Sequence, residues 1–344
     1  MAWTNATSSL AAQIESYLAT IVDGHERAAT AAWVRAWDTI GPDLELAVNE
    51  LVLQAADGRL RRADVIRSAR LQAALEQIHQ TLDGLIDGTA SDIIDQLADI
   101  VDHAGSLQER IIASQLPAAA RQEVAAWSRT DPRQLAAIVD RTAEQITKLT
   151  YPLADEAAAT MRRELVRGIA VGDNPRAVAA RMVRNTEVTF NGGLHRATVI
   201  ARTEMLDAHR RAAQLADDAN ADLLTGWTWT CALVGNVCRA CLSMHGREFP
   251  LDQSGPEGHP SCRCARVAKT KSWRDLGFDI DEPDSLMPSA VDYFDGLSKT
   301  EQVDVLGQRG WTAWNEGRYP MDQWASKRTA DGWRDSWVPS PAPA

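Results

Sequence analysis

The chain has 344 residues, 45% of them hydrophobic and 24% charged, a globular make-up that excludes wholesale disorder and leaves room for two or three domains of ~150 residues. Its net charge of −11 argues against a general nucleic-acid binder, whose affinity rests on Lys and Arg neutralising phosphates. No stretch reaches the roughly 18–20 uninterrupted apolar residues of a membrane span, and the start MAWTNATSSLAAQIESY lacks the basic and apolar runs of a signal peptide; the expectation is a chain that stays in the cytoplasm or in something assembled there.

The first 190 residues are rich in Ala and Leu and are punctuated by Gly41-Pro42, Asp57-Gly58, Gly84, Gly88, Pro117, Asp131-Pro132 and Gly172 to Pro175. Between these marks apolar residues recur at helical spacing. Leu71, Leu75, Ile78, Leu82 and Leu85 step by four and three and fall on one helix face. Leu135, Ile138, Val139, Thr142 and Ile146 do the same behind Asp131 as N-cap and Pro132 at the first helical position. Asn174-Pro175 repeats that start signal before Ala177, Val178, Ala180, Met182 and Val183. Nothing suggests a βαβ repeat, so these are amphipathic helices packed on one another.

A further helix runs from Leu194 to about Asp218 and carries Arg202-Thr203-Glu204. The composition then changes: Leu223 to Thr230 alternates Trp and Thr in the period-two manner of a strand. After Lys271 come a loop rich in Asp and Pro, a helical stretch from about Ala290 to Gly307, a second around Trp311 to Gly317 and a third from Met321. The tail VPSPAPA, residues 338–344, reads as disordered.

All five cysteines lie in the 34 residues from Cys231 to Cys264. A disulfide framework spreads its bridges over a fold, so clustering in a reducing compartment points to a metal. Cys238 and Cys241 form a C-x2-C pair, the spacing at which one turn aims two sulfurs at an ion, and His259, Cys262 and Cys264 follow eighteen residues on. We expect zinc held by Cys238, Cys241, His259 and Cys264, with Cys262 as the first alternate, in a closed and therefore structural site. The segment between, with Gly246, Pro250, Gly255, Pro256 and Gly258, reads as loop around a short Arg247-Glu248-Phe249 strand, and a β-hairpin bearing the first ligand pair is expected. Few apolar residues lie here, so metal binding is also folding energy.

The order Ile200-Ala201-Arg202-Thr203-Glu204, Trp227-Thr228-Trp229, Cys238-x2-Cys241, Gly246-Arg247-Glu248-Phe249, His259-Pro260-Ser261-Cys262-Arg263-Cys264 resembles the phage Mu F-like head morphogenesis (minor head protein) family over about Met161 to Lys269. The stretch from Tyr293 to Gly307 also resembles what commonly follows that domain, whereas residues 1–160 carry no matching motif. The resemblance implies a minor capsid protein of a tailed phage, encoded beside the portal, present in few copies, and acting in procapsid assembly or where DNA enters and leaves the head. Many relatives carry a polar residue where this chain has Cys231, which makes Cys231 a second alternate ligand.

Arg202 and Glu204 are two apart on a helix and do not face one another; as candidate ion-pair residues they are expected to dock this helix on the zinc module rather than to catalyse. Charge divides unevenly: residues 1–189 carry 19 basic and 26 acidic groups, 190–275 carry 11 and 9, and 276–344 carry 6 and 12. Within the slightly positive middle, Arg263, Arg266, Lys269, Lys271 and Arg274 form a basic run, the candidate contact for DNA or an acidic partner. A nuclease of the HNH type would need a His series that does not follow the cysteines, and no protease grouping occurs; His103, His195 and His209 are expected on helix surfaces. Six of twelve Trp fall in the last 72 residues, either cementing a subdomain or offering a docking surface. The sequence thus predicts a mainly α protein: a helical region over 1–160, a zinc-stapled α+β module over 161–270, a Trp-rich helical region over 271–337, and the tail. The expected role is non-enzymatic, in the virion, with portal, major capsid or scaffolding proteins as partners and no membrane. The alternative is a DNA-acting packaging factor or nuclease.

Overall fold

A computed structural model describes residues 3–54, 62–121, 130–169, 175–235, 237–330 and 333–343. The chain divides into two compact units: residues 22–96 with 142–204, and residues 1–21 with 97–141 and 205–344. The breaks expected at Asp57-Gly58 and Gly172 to Asn174 lie outside the described residues. Helices come first: α1 (Asn5–Gln54), α2 (Arg62–Arg67), α3 (Ala69–Ile94), α4 (Leu97–Ser114), α5 (Pro132–Thr150), α6 (Leu153–Ile169) and α7 (Pro175–Ala219).

In the first unit the helical stripes become core. Leu71, Leu75, Ile78 and Leu82 of α3 are all buried, and they pack with Leu44, Val48 and Leu51 of α1 and with Phe190 of α7. Phe190 lies 5.0 Å from the ring of Trp33 and 5.2 Å from that of Trp37. Helix α3 starts at Ser68, whose side chain accepts from the Leu71 amide, an ordinary N-cap. Gly41-Pro42 does not end a helix: α1 runs through it. An interior proline costs about 3 kcal/mol, but Ile40, Leu44, Ala47 and Val48 on either side are buried, so packing overrides local preference. Gly84 and Gly88 likewise lie inside α3.

In the second unit α5 begins as expected, with the Arg133 amide donating to Asp131 Oδ1 at 2.9 Å. A three-stranded antiparallel sheet follows, in the order β2-β1-β3, from β1 (Leu224–Thr230), β2 (Glu248–Phe249) and β3 (Ala265–Thr270). Trp227 pairs with Phe249 on one side and Ala268 on the other. Gly226 sits at an irregularity in this register, where a Cβ would stand 2.2 Å from the Phe249 carbonyl oxygen. The outer edge of β3 is met by Gln115, whose amide donates to Ala268 O at 2.7 Å and accepts from Thr270 N at 3.2 Å.

Helices α8 (Arg239–Met244), α9 (Ala290–Asp295) and α10 (Lys299–Asn315) follow among the described residues, and Gly307, at φ 73°, breaks α10 where the sequence separates two helices. A capping box of Ser298 and Glu301 starts α10. Two expectations fail here. The stretch beyond Met321 is not a helix but an antiparallel hairpin of β4 (Ala325–Ala330) and β5 (Trp333–Pro339). The tail is not loose: Ser340 N donates to Trp324 O at 2.9 Å, and Pro343 O accepts from Arg309 at 2.8 Å. Nor does a core boundary fall at residue 270. Trp227, Trp229, Cys241, Cys262 and Cys264 share one core with Phe294, Leu306, Tyr319 and Trp324.

Candidate metal centre

The cysteine cluster is built from three short pieces. Strand β1 ends before Cys231, α8 supplies Cys238 and Cys241, and the turn before β3 supplies His259, Cys262 and Cys264. The first pair is not on a hairpin, as expected, but at a helix start: Cys238 is the N-cap of α8, its sulfur accepting from the Cys241 amide at 3.3 Å. One turn of helix then points both sulfurs the same way. The second piece is a tight turn in which Cys262 N donates to His259 O at 3.0 Å and Ser261 takes a left-handed φ of 61°. Gly258 backs it, and a Cβ there would lie 2.4 Å from Cys262 Sγ.

Two triads of donor atoms result, Cys238-Cys241-His259 and Cys241-Cys262-Cys264, sharing Cys241. Cys238 Sγ lies 3.2 Å from Cys241 Sγ and 3.2 Å from His259 Nε2, Cys241 Sγ is 3.5 Å from His259 Nε2, and Cys241 and Cys262 sulfurs are 3.7 Å apart. A tetrahedron with metal–sulfur bonds of ~2.3 Å has edges of roughly 3.7 Å, so thiols and imidazole at these separations suit zinc in both chemistry and size. Hydrogen bonding from Cys241 lowers the Cys238 thiol to about 5 against the opposing effect of burial. Burial alone would lower His259, but its bond to Cys238 and the charges of Cys262 and Cys238 outweigh this and raise it to about 9. Without metal the cluster therefore favours a Cys238 thiolate beside a protonated His259 at neutral pH.

Cys231 belongs to neither triad. It faces His245, whose Nδ1 accepts from the Cys231 amide at 3.1 Å while Nε2 donates to Pro288 O at 3.1 Å, and burial raises its thiol well above the ordinary value. His245 is thus a neutral structural bridge.

Arg202 bonds Glu26 Oε2 of α1 at 3.3 Å, and Glu204 is half-buried on the same helix. Arg210 of α7 reaches the cysteines: its Nε donates to Cys264 O at 3.1 Å and its Nη2 to Cys262 O. The basic run is dispersed. Arg266 is fully buried on Asp217 at 2.5 Å, with its ring neighbour Trp227 at 4.7 Å; Lys269 pairs with Glu248, Arg274 with Asp281, Lys271 donates to Asp222 O, and Arg263 is half-buried. A run with its central arginine inside the fold gives no support to the DNA or nuclease alternative. His209 is not on a surface either: it is buried, and burial lowers it to about 3. His103 stacks on Tyr17 at 3.7 Å, and His195 is exposed. The C-terminal tryptophans turn inward, Trp324 packing edge-on against Phe294 and Trp314; the side chain of Trp333 lies outside the described residues. Sequence reasoning missed Arg210 and Asp217, although Arg210 stands eight residues after Arg202, on the same helix face.

Residues 159–267 match the family Phage Mu protein F like protein. This F-like segment ends within two residues of the limits that the five landmarks suggest, Met161 and Lys269, and it contains all five cysteines and His259. No curated protein and no solved structure matches the chain. No helix among the described residues is long and apolar enough to cross a membrane.

Proposed function

We propose that the protein is a minor capsid protein of a tailed phage, acting structurally in head assembly at or near the portal, and that a single zinc ion fixes the shape of its F-like segment. The observation that carries this reading is the coincidence of the family match with the cysteine and histidine cluster inside it. The proposed ligands are Cys238, Cys241, His259 and Cys262. Cys262 and Cys264, the fourth ligand expected from the sequence, both share a triad with Cys241, and Cys262 is taken as the fourth donor on its 3.7 Å separation from the Cys241 sulfur. Four protein donors leave no coordination position for water or substrate, so the role of the metal is to staple the segment and not to catalyse. The portal, major capsid and scaffolding proteins are the proposed partners, and the assembled head the proposed location.

Two measurements test this. Metal analysis of purified protein is expected to give one zinc per chain, with Cys262→Ser losing more of it than Cys264→Ser; zinc-free protein sinks the metal assignment. Labelling the protein in intact particles is expected to place it at the portal vertex, and a distribution over the whole shell, or absence from the head, overturns the structural role.

A further inference from the structure

The F-like segment ends at residue 267, yet the metal centre is gripped by residues 70 positions further on. We infer that the C-terminal strand and the residues after it complete the centre, with Arg239, Trp337 and Ser340 as positioning residues that hold its two ligand-bearing pieces at a fixed separation. This inference rests on the zinc reading above.

Arg239 lies between the ligands Cys238 and Cys241, in the first turn of α8. Its guanidinium donates to Ser340 O from Nε at 3.1 Å and from Nη2 at 2.9 Å, and the Tyr319 hydroxyl donates to the same oxygen at 2.9 Å. Charge-assisted forks of this kind are stronger and more directional than neutral bonds. Ser340 is in turn fixed through its own amide to Trp324 O, in the buried core. Three residues earlier the Trp337 amide donates to Glu257 O at 2.8 Å, and Trp337 forms a parallel bridge with Gly258. Gly258 is the residue against which Cys262 Sγ rests. Lys327 of β4 bonds Glu257 at 3.0 Å and Asp335 of β5 at 3.2 Å, joining the hairpin to the same turn. A single stretch, 337–340, therefore touches the piece that bears Cys238 and Cys241 and the piece that bears His259 and Cys262.

Donors on two separate pieces of chain bind a metal more tightly when their separation is set beforehand, and the groups that set it tune affinity without being ligands. The stretch from Pro250 to Pro260 is rich in Gly and Pro, and the core that holds the cysteines is shared with Phe294, Leu306, Tyr319 and Trp324 of the C-terminal region. The C-terminal stretch supplies that constraint.

The test uses the full chain carrying Arg239→Ala or Arg239→Lys, and a chain lacking 337–344, with Zn2+ as the probe and a chelator of known affinity as competitor. Arg239→Ala and the truncation are expected to bind zinc roughly 10- to 100-fold more weakly, Arg239→Lys to fall between, and the rise in melting temperature on adding zinc to shrink. Wild-type affinity in folded Arg239→Ala overturns the inference, as does a melting temperature lowered equally with and without zinc. Should the wild-type chain bind no zinc, the metal reading fails on its own. The clamp is then read by native alkylation of Cys238 and Cys262: faster labelling of both in Arg239→Ala supports it, and unchanged labelling overturns it.

Discussion

In the helical unit the ion pairs Arg70–Glu50 and Arg196–Glu156 stand in water. Arg70 and Glu50 meet at 2.7 Å with side chains 56% and 42% exposed, and Arg196 and Glu156 are as open. In the cysteine unit Arg266 and Asp217 meet at 2.5 Å with both side chains fully buried, and Gln108 donates to the other Asp217 oxygen at 2.7 Å. The first unit rests on many interchangeable apolar contacts along helix faces. The second has a small sheet, a two-residue edge strand and loops, and it depends on a few polar groups and thiols that have no substitutes. Damage should therefore be graded in one unit and abrupt in the other.

The largest expected effect is metal removal. Structural zinc contributes apparent free energies of about 10–16 kcal/mol in small zinc modules. Chelation is expected to abolish the near-ultraviolet dichroism of Trp227 and Trp229, which share the core of the cysteines, while most helical signal persists. Equal loss of both signals would mean that the units are not distinct. In the metal-free protein pH should matter at both ends. Cys238, lowered to about 5, contributes stability that is present in alkali and lost as pH falls through about 5. His259, raised to about 9, contributes stability that is full below pH 6.5 and lost as pH rises through about 9.

Next comes Asp217→Ala. Burial pushes this carboxyl up to about 6, with Arg266 and Gln108 opposing, so it is ionised at neutral pH. Its removal leaves Arg266 buried without a counter-charge, which costs about 3–5 kcal/mol and is measurable as a shifted denaturant midpoint. A loss below about 1 kcal/mol would show that backbone carbonyls alone satisfy Arg266, which donates to Gln253 O and Leu251 O.

The same contrast explains what could be read from the sequence. Helical periodicity found the face of Leu71, Leu75, Ile78 and Leu82 because one-sided burial leaves a repeat in the chain. The Trp and Thr alternation found β1, and the C-x2-C pair with His259 found the cluster, because each is local. Pro42 misled, since its effect is decided by buried neighbours brought from elsewhere. The C-terminal hairpin was missed although Asp331-Gly332, a dipeptide typical of two-residue turns, lies between its strands. Asp217 with Arg266, and Arg210 with Cys262, were beyond reach: each pair is separated by about fifty positions, and nothing in the sequence marks one arginine of many as the buried one.

Within the helical unit Ile78→Val should cost only ~0.5–1.5 kcal/mol, the usual toll of one buried methyl group, although Ile78 is fully buried. The melting temperature should shift modestly, and the cysteine cluster should be unaffected. A loss as large as that of Asp217→Ala would mean that the helical core has no slack.

The smallest effect is expected from Glu50→Gln. Exposed pairs contribute about 0–1 kcal/mol, because water screens the charges and two long side chains lose freedom in meeting. Arg70 is more than half exposed, so it recovers its hydration once Glu50 is neutral, which Arg266 cannot do. Denaturant midpoints of Glu50→Gln and Asp217→Ala, taken side by side at low and high salt, separate the two cases. The surface substitution should be nearly silent and converge on wild type as salt rises, while the buried one should keep its full cost. If both respond to salt alike, Asp217 is reached by solvent and the division between the units is one of degree.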